Sequence, residues 1–254
     1  MAEKFKEQVV IVRQDQLANG IYSMWIKTEN IAKNARPGQF ISIYTHDSSR
    51  LLPRPISICE ISKDMLRVVY RVAGEGTRQF SEMKADDKIE VMGPLGNGYT
   101  LRDKKAVLIA GGIGVPPMLE LAKQLKCDKT IVLGYRDKDT FLLDEFKKCG
   151  EVVIATEDGS IGTKGNVMDA IKEQNVTGEV IYSCGPKPML KAVKEWGLSN
   201  NIETQISLEE KMACGIGACL ACVCKTKNED EHSHVHNARV CKDGPVFFAE
   251  EVEL

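Results

Sequence analysis

Four cysteines near the C-terminal end have the spacing of an iron–sulfur site. Cys214, Cys219, Cys222 and Cys241 form the pattern C-x4-C-x2-C-x18-C, with two glycines in the first gap. The C-x4-C-x2-C start with a distant fourth cysteine is typical of plant-type [2Fe–2S] sites. Glycine lets the backbone wrap closely around a cluster and turn its N–H groups toward sulfur. The spacing therefore predicts a [2Fe–2S] cluster held by these four thiolates.

Two alternatives to this ligand set stay open. Cys224 follows Cys222 in a stretch that looks extended, so both thiols would share one face, and geometry alone does not decide between Cys224 and Cys241. We favour Cys241, because two thiols so close together would strain to reach separate corners of the second iron. The other alternative is a structural zinc site. Such sites usually have two C-x2-C pairs, whereas this segment has only one.

Three histidines, His232, His234 and His236, lie between the third and fourth cysteines. A Rieske site needs cysteine and histidine paired closely in the sequence twice, because two histidines replace two cysteines on one iron. That pattern is absent from the sequence. We therefore expect the three histidines in a solvated loop.

Two short motifs in the first part of the chain have the chemistry to bind a flavin nucleotide. Arg54–Ser57 (R-P-I-S) opens a strand, where the arginine offers a planar fork to a diphosphate and the serine a hydrogen bond to a flavin ring. Gly74–Thr77 (G-E-G-T) follows about 20 residues later, before a helix start that would present free N–H groups to phosphate. Either motif taken alone is equally well explained as an ordinary turn.

A glycine-rich turn follows the first strand of the next part of the chain. Residues Ala110–Pro117 (A-G-G-I-G-V-P-P) have the order strand, glycine turn, helix that is typical of dinucleotide sites. The last apolar strand ends in Cys184-Gly185-Pro186, at the carboxyl edge where such sheets bind ligands. These features predict a nicotinamide nucleotide site. Cys184 itself fits equally well as a cofactor contact or as a small buried side chain.

The pattern of predicted strands and helices changes near residue 102. Short strands with β-branched and aromatic residues fill residues 1–101, with one helix at about 77–83, which predicts an antiparallel β-barrel that binds FAD. Apolar strands then alternate with helices over 102–208, which predicts an α/β parallel-sheet domain that binds NAD. Residues 209–254 form a small [2Fe–2S] domain, so we predict an α+β multidomain chain. The other predicted strands are 7–15, 21–28, 38–45, 56–61, 65–72, 106–111, 130–135, 151–156 and 179–184, and the other predicted helices are 117–126, 140–148, 166–174 and 187–197.

Composition excludes several classes of partner. The 254 residues carry 34 basic and 36 acidic side chains that are well mixed, so no basic stripe for nucleic acid is expected. The most apolar stretch, residues 106–119, contains three glycines and two prolines and is not expected to cross a membrane. The first residues lack the apolar core of a signal peptide. The odd count of nine cysteines, five of them within 28 residues, indicates a metal site near the C-terminus rather than disulfides. We expect a cytoplasmic protein.

Together, the nucleotide motifs resemble the ferredoxin–NADP reductase superfamily over nearly the whole chain. In that superfamily R-x-x-S and the glycine–threonine turn bind FAD on a β-barrel, and the glycine turn and C-G-P strand end bind the nicotinamide nucleotide. The resemblance implies that FAD contacts Arg54, Pro55, Ile56, Ser57, Val69, Tyr70, Arg71, Gly76 and Thr77. It implies that the nicotinamide nucleotide contacts Gly111, Gly112, Gly114, Cys184, Gly185 and Pro186.

The cysteine segment resembles a narrower family. Met212–Cys222 (M-A-C-G-I-G-A-C-L-A-C) and Cys241–Phe247 (C-K-D-G-P-V-F) look like the electron-transfer subunits of two-subunit, type B dihydroorotate dehydrogenases. The resemblance implies that FAD and the cluster move electrons between NAD and the FMN of a separate catalytic subunit, in pyrimidine biosynthesis. It also implies a heterotetramer with two copies of each subunit. The cofactors would carry the chemistry, so no side-chain acid or base is assigned.

Two other functions fit parts of the pattern. The same superfamily contains flavin/iron–sulfur subunits of sulfide dehydrogenases and of electron-bifurcating NADPH–ferredoxin oxidoreductases. A zinc-stabilised, non-catalytic binding module would use the same cysteines for a different purpose. The colour of the purified protein distinguishes a zinc-stabilised module from a flavin–[2Fe–2S] protein, since the first is colourless and the second is brown.

The choice of nicotinamide nucleotide depends on the end of the third strand of the nucleotide domain. Thr156-Glu157-Asp158 stands where NADP-using relatives tend to carry arginine. Acidic groups there would repel a 2′-phosphate and accept a hydrogen bond from a ribose hydroxyl, which predicts a preference for NADH. Arg136, at the end of a neighbouring strand, is the residue that would oppose this preference.

Overall fold

The first part of the chain closes into an antiparallel barrel. The computed structural model describes residues 3–45, 51–229 and 234–254. The barrel strands are β1 (Phe5–Ala18), β2 (Ile21–Lys27), β3 (Phe40–Ile43), β4 (Arg54–Ile61), β5 (Met65–Arg71) and β6 (Lys88–Leu95). They follow the order β1-β2-β5-β4-β3-β6, and β6 pairs back to β1 to complete the closure. A short helix α1 (Ile31–Asn34) and a longer helix α2 (Glu75–Glu82) interrupt the strands.

Successive side chains of a barrel strand point alternately into the barrel and out of it. On β5, Leu66, Val68 and Tyr70 are buried inside the barrel with the side chains of the other strands. Val69 points the opposite way and packs into the core of the next domain. Because successive side chains of a strand lie on opposite faces, β5 serves both the barrel core and the interdomain contact.

The second part of the chain is a parallel sheet with helices packed on it. Its strands are β7 (Ala106–Gly111), β8 (Lys129–Tyr135), β9 (Glu151–Thr156), β10 (Thr163–Lys164), β11 (Val180–Cys184) and β12 (Glu203–Ser207), and its helices are α3 (Pro117–Gln124), α4 (Leu143–Phe146), α5 (Val167–Glu173) and α6 (Lys187–Ser199). The sheet order is β10-β9-β8-β7-β11-β12. The chain therefore leaves β7 toward β8 on one side and later returns to β11 on the other. This reversal creates a crevice at the carboxyl ends of β7 and β11.

The cysteine segment joins the rest of the fold through its last strand. It contains a small antiparallel pair, β13 (Val223–Lys225) with β14 (Asn237–Arg239), and a final strand, β15 (Val246–Phe248). β15 pairs antiparallel with β12 and forms the edge of the seven-stranded sheet. The core of the segment also includes Phe40 and Leu95 from the barrel. The cysteine segment therefore packs against both of the other parts.

The predicted fold class is confirmed. Besides the short strands β10, β14 and β15 and the single-turn helix α1, three further elements differ from the prediction. Strand β6, which closes the barrel, and strand β12 were not predicted. The helix predicted at 140–148 is a single turn, α4, because Leu142 adopts a left-handed φ of 67° immediately before it. Within the described ranges, no helix is both long and apolar enough to cross a bilayer.

Candidate functional site

The predicted flavin motifs meet at the start of α2. Strand β4 places Arg54 against Gly76, so that a methyl group on Gly76 would overlap the guanidinium, with Cζ only 2.7 Å away. Arg54 also donates a hydrogen bond to the carbonyl of Leu52. The first N–H groups of a helix have no partner within the helix, and here a planar cation stands beside them. This arrangement fits a diphosphate, which both groups attract.

The hydroxyl of Thr77 bonds to the backbone that precedes α2. Its hydroxyl accepts hydrogen bonds from the N–H groups of Ala73 (2.9 Å) and Gly74 (3.2 Å) and donates to the Gly74 carbonyl (2.9 Å). These contacts cap α2 and hold its first turn in place. The hydroxyl is therefore engaged with the protein's own backbone, and the main chain of this turn is what remains to face a phosphate.

The three predicted residues on β5 separate onto two faces. The Tyr70 side chain is 1% exposed inside the barrel and donates its hydroxyl to Oε1 of Gln14 at 3.0 Å. Val69 and Arg71 lie on the opposite face, toward the nucleotide domain. A cofactor in the cleft could therefore meet the side chains of Val69 and Arg71 but only the main chain of Tyr70. On β4, Ile56 packs against the barrel core, while Pro55 and Ser57 pair with β3.

The predicted nicotinamide motifs come together at the carboxyl ends of β7 and β11. A methyl group on Gly114 would overlap the Cys184 carbonyl, with the Gly185 Cα at 2.6 Å. Only glycine allows the turn after β7 to approach the end of β11 so closely. Gly111 and Gly185 are also in contact, since the Gly111 nitrogen lies 3.2 Å from a methyl placed on Gly185. The turn and the C-G-P loop thus lie against each other at the crevice, at the edge where such sheets bind ligands.

The thiol of Cys184 lies at the edge of this crevice. Burial raises the pKa of Cys184 to about 12, so the thiol is neutral at physiological pH. A neutral thiol is a small apolar group that can lie under a ring without adding charge. Both interpretations of this cysteine, as a packed side chain and as a cofactor contact, remain compatible with its position.

The flavin and nicotinamide sites adjoin each other. The guanidinium of Arg71 on β5 lies 3.7 Å from the position of a methyl group on Gly112, in the glycine turn. One residue on the same face, Val69, packs into the core of the nucleotide domain. The end of β5 therefore faces the glycine turn directly. Two nucleotides bound at these motifs would have their reactive ends in the same cleft.

The cysteine loop directs backbone N–H groups at sulfur. Burial alone would raise the pKa of Cys214, but N–H groups of the following residues point at its sulfur and lower the pKa to about 6. Two of these donors are Ile216 (3.5 Å) and Ala218 (3.3 Å). Thiolate ligands with N–H donors around them are what an iron–sulfur cluster needs. The loop thus fits the group that its spacing predicts.

The structure brings the distant cysteine to the other end of the loop. The Cys241 N–H donates to the Cys222 sulfur at 3.4 Å, and Val240 donates to the Cys222 carbonyl at 2.9 Å. Cys219 is exposed, whereas Cys222 and Cys241 are buried. Among the described residues, no three Cys, His, Asp or Glu side chains converge on one point, as a mononuclear site requires. A [2Fe–2S] cluster needs four thiolates in all, but only two of them on each iron.

Cys224 and the histidines occupy other surroundings. Cys224 lies on β13, and burial raises the pKa of its thiol to about 11. His234 and His236 are exposed, and Nδ1 of His236 donates to the Lys227 carbonyl at 2.9 Å. His232 lies outside the described residues. The solvated-loop prediction therefore agrees with the two histidines that the structure describes.

Two residues that the motifs did not reveal tie the cysteine segment to its surroundings. Arg239 forms an ion pair with Asp243 (2.9 Å) and donates to the Gly217 carbonyl at 3.4 Å. Asn97, which follows β6, donates its side-chain amide to the Asp243 carbonyl at 2.8 Å. These contacts connect the cysteine loop, the fourth cysteine and the barrel. The only signal of these contacts in the sequence is that Arg239 and Asp243 lie within two residues of Cys241.

Comparison with known proteins identifies the family. Residues 209–253 match the iron–sulfur cluster binding domain of dihydroorotate dehydrogenase B, and residues 108–195 match the oxidoreductase NAD-binding domain. The chain is 43% identical over 251 residues to the dihydroorotate dehydrogenase B (NAD⁺) electron transfer subunit of Caldanaerobacter subterraneus, covering 98% of this chain and 99% of that protein. The same subunit of Fusobacterium nucleatum is 45% identical, with 98% of each chain covered. The chain belongs to this family of dihydroorotate dehydrogenase B electron transfer subunits. Such a subunit works with a catalytic partner subunit.

Solved structures share the framework. The NADH-dependent reduced ferredoxin–NADP oxidoreductase, studied for flavin-based electron bifurcation, matches with a TM-score of 0.87 and 29% identity, over 97% of this chain and 90% of its own. A ferredoxin–NADP⁺ reductase from Neisseria gonorrhoeae, solved with bound FAD and NADP, matches with a TM-score of 0.64 and 15% identity, over 76% and 91%. At that identity the second match shows the fold alone. The dihydroorotate dehydrogenase B family thus places its cysteine segment on a reductase fold.

Replacing Gly76 by alanine should weaken FAD binding. The new methyl group would displace the Arg54 guanidinium, and losing one hydrogen bond from a charged group costs about 1.5–3 kcal/mol, or a loss of affinity of roughly 10- to 150-fold. The measurement is the dissociation constant of FAD for the apoprotein. Gly74→Ala is the matched control, because a methyl group there meets no atom within 4 Å. Equal FAD affinity in the Gly76 variant and the control would contradict the assignment.

Serine substitutions should separate the two candidates for the fourth ligand. Cys241→Ser is expected to lose the cluster, because Cys241 lies beside Cys222 at the end of the loop. Cys224→Ser should retain the cluster, whereas serine at Cys214, Cys219 or Cys222 should remove it. Iron content and visible absorption of the purified proteins measure the outcome. Complete cluster loss in Cys224→Ser with an unaffected Cys241→Ser would reverse the assignment.

Proposed function

We propose that the chain transfers electrons between NAD and the FMN of a catalytic dihydroorotate dehydrogenase subunit, through FAD and a [2Fe–2S] cluster. The observation that carries the proposal is the contact between the end of β5 and the glycine turn, at Arg71 and Gly112, with the cysteine segment packed on the same framework. In the direction of dihydroorotate oxidation, the electrons would run from FMN to NAD⁺.

The chain's own residues would bind and orient the cofactors. Arg54 and the first N–H groups of α2 would hold the FAD diphosphate, and the main chain of β5 would lie along the flavin. The turn from Gly111 to Gly114, with the loop Cys184–Pro186, would bind the nicotinamide nucleotide. Bound FAD supplies the exchange between a two-electron hydride and single electrons, which the cluster accepts or donates one at a time.

The four thiolates of Cys214, Cys219, Cys222 and Cys241 would hold the cluster. The segment presents apolar side chains to solvent beside the exposed Cys219: Ile216 is 41% exposed and Leu220 is 60% exposed. Exposed apolar groups beside an electron-transfer site are characteristic of a docking surface. We propose that the FMN-containing subunit docks there, in an assembly with two copies of each subunit.

The purified chain, loaded with FAD and iron–sulfur, should oxidise NADH with artificial acceptors but form no orotate from dihydroorotate. Flavin, nicotinamide and cysteine motifs already occupy all three parts of the chain, which leaves no domain for FMN and a pyrimidine. Adding the catalytic subunit should couple NAD⁺ reduction to orotate formation. Orotate produced by the chain alone would refute the division of labour. Failure of the partner to couple NAD to orotate would favour the sulfide dehydrogenase or the electron-bifurcating oxidoreductase, whose framework is the same.

Within this assay, Leu220→Asp tests the docking surface. Leu220 has a left-handed φ of 58°, a conformation that aspartate tolerates well, so the variant should fold. A buried charge at the interface should lower coupled orotate formation at least about tenfold and leave NADH oxidation by artificial acceptors unchanged. Leu198→Asp, at an exposed leucine on α6, is the matched control. Equal coupling in both variants would remove Leu220 from the interface.

The chain should prefer NADH over NADPH in kcat/KM. Glu157 and Asp158 are exposed at the end of β9, and hydrogen bonds from Ser160 lower the pKa of Asp158, so its carboxylate stays charged at neutral pH. Replacing both by Gln and Asn should raise kcat/KM for NADPH about tenfold, because a repelling charge near a phosphate costs about 1 kcal/mol or more. Arg136→Ala should lower kcat/KM for NADPH, because it removes the cation that would attract the 2′-phosphate. Equal or better use of NADPH by the unmodified chain would refute the preference.

A further inference from the structure

Helix α3 connects the glycine turn to the flavin strand. The helix begins at Pro117, directly after the turn that ends at Gly114, and packs against β4, which opens with Arg54. The proposed nicotinamide site thus lies just before the start of α3, and the proposed flavin site lies at the start of β4. The helix and the strand are in contact with each other. Whatever holds α3 on β4 also determines how the glycine turn faces the flavin strand.

A buried carboxylate makes this connection. Glu120 on α3 is 6% exposed, and its Oε2 accepts a hydrogen bond from the N–H of Ile61, at the end of β4, at 2.7 Å. Its Oε1 accepts from Nε2 of Gln124 at 2.8 Å. Burying a carboxylate is costly unless its oxygens are hydrogen-bonded, and here both are. Glu120 lies in the first turn of α3, about 4.5 Å along the helix axis from Pro117.

Ion pairs reinforce the same contact. Nζ of Lys123 on α3 lies 2.7 Å from Oε1 of Glu60 on β4. Arg67 on β5 is 8% exposed and reaches Glu145 on α4 at 2.8 Å, with Glu60 at 3.4 Å. Charged groups held in one partly buried network restrict relative movement more than isolated surface pairs do. The barrel and the nucleotide domain are therefore joined by polar contacts of defined geometry, in addition to apolar packing.

We propose that Glu120 is a positioning residue for hydride transfer: by holding α3 on β4, it sets the distance between the nicotinamide and flavin rings. This inference rests on the proposed exchange between NAD and FAD. In that step a hydride leaves C4 of the nicotinamide with both bonding electrons and bonds to N5 of the flavin. The reacting atoms must come within about 3–3.5 Å, and a displacement of about 1 Å can slow such a reaction about 100-fold.

Rapid-mixing kinetics test the inference on the FAD-loaded chain with its cluster. The rate constant of flavin bleaching is measured against NADH concentration without oxygen. Glu120→Ala should lower the limiting rate about 10- to 100-fold. The half-saturating NADH concentration and the FAD content should change less than about twofold, because the Glu120 side chain is buried and both of its oxygens are bonded to Ile61 and Gln124. Glu120→Gln keeps an oxygen that can accept from the Ile61 N–H and should restore the limiting rate to within about threefold.

Two further variants keep the test decisive. Glu90→Ala removes a carboxylate paired with Lys6 on the barrel surface, at 2.9 Å, and should leave the limiting rate unchanged. If Glu120→Ala does not fold, Lys123→Ala breaks the partly exposed pair with Glu60 and should slow the limiting rate about threefold without weakening NADH binding. An unchanged limiting rate in the variant that is used, or an equal loss of rate and NADH affinity, overturns the inference. No flavin reduction in the unmodified chain would instead contradict the proposed function.

Discussion

The pairing of the last strand with the nucleotide sheet is the constraint on which the arrangement of the sites depends. Strand β15 aligns Val246–Phe248 antiparallel to residues 205–207 of β12. Next to it, the Pro245 carbonyl accepts from the N–H of Leu208, and the N–H of Asn97 donates to the neighbouring Gly244 carbonyl at 2.6 Å. The cysteine segment is thus hydrogen-bonded to both the sheet and the barrel. Because those bonds are made by main chain, the cluster loop keeps a defined position relative to both nucleotide sites.

Close approach of the main chain also shapes the nucleotide sites. Gly76 lets the Arg54 guanidinium stand against the start of α2, and Gly114 lets the glycine turn touch the Cys184 carbonyl. In both places another part of the protein, the Arg54 guanidinium or the Cys184 carbonyl, already fills the space that a side chain would need. A buried side chain connects the two regions: Glu120 on α3, the helix after the glycine turn, accepts a hydrogen bond from Ile61 at the end of β4, the strand that opens with Arg54. The close approaches thus depend on local backbone, whereas the relative placement of the proposed flavin and nicotinamide sites depends on contacts between domains.

Hydrophobic periodicity predicted most of the framework, because strands buried on one or both faces leave a regular pattern. It missed β6, in which Gly93 and Pro94 interrupt the pattern near the strand's end. It overestimated the helix at 140–148, where the hydroxyl of Tyr135 donates to the Phe141 carbonyl at 2.9 Å and the rings of these residues pack edge to face. That tertiary contact holds a left-handed residue before α4 and leaves one helical turn. Local preference gave way there to packing with a neighbouring strand.

The sequence by itself determined which groups could bind which cofactors, because the cysteine loop, the R-P-I-S strand and the glycine turn are short segments whose chemistry follows from spacing. The tertiary structure alone decided which of those groups face a cleft. It turned the Tyr70 side chain into the barrel, brought Cys241 beside Cys222, and placed Glu120 on the backbone of Ile61. These outcomes depend on strand register and on packing between residues far apart in the chain. A spacing pattern does not encode such contacts, because they arise only when separate elements bury their surfaces against one another.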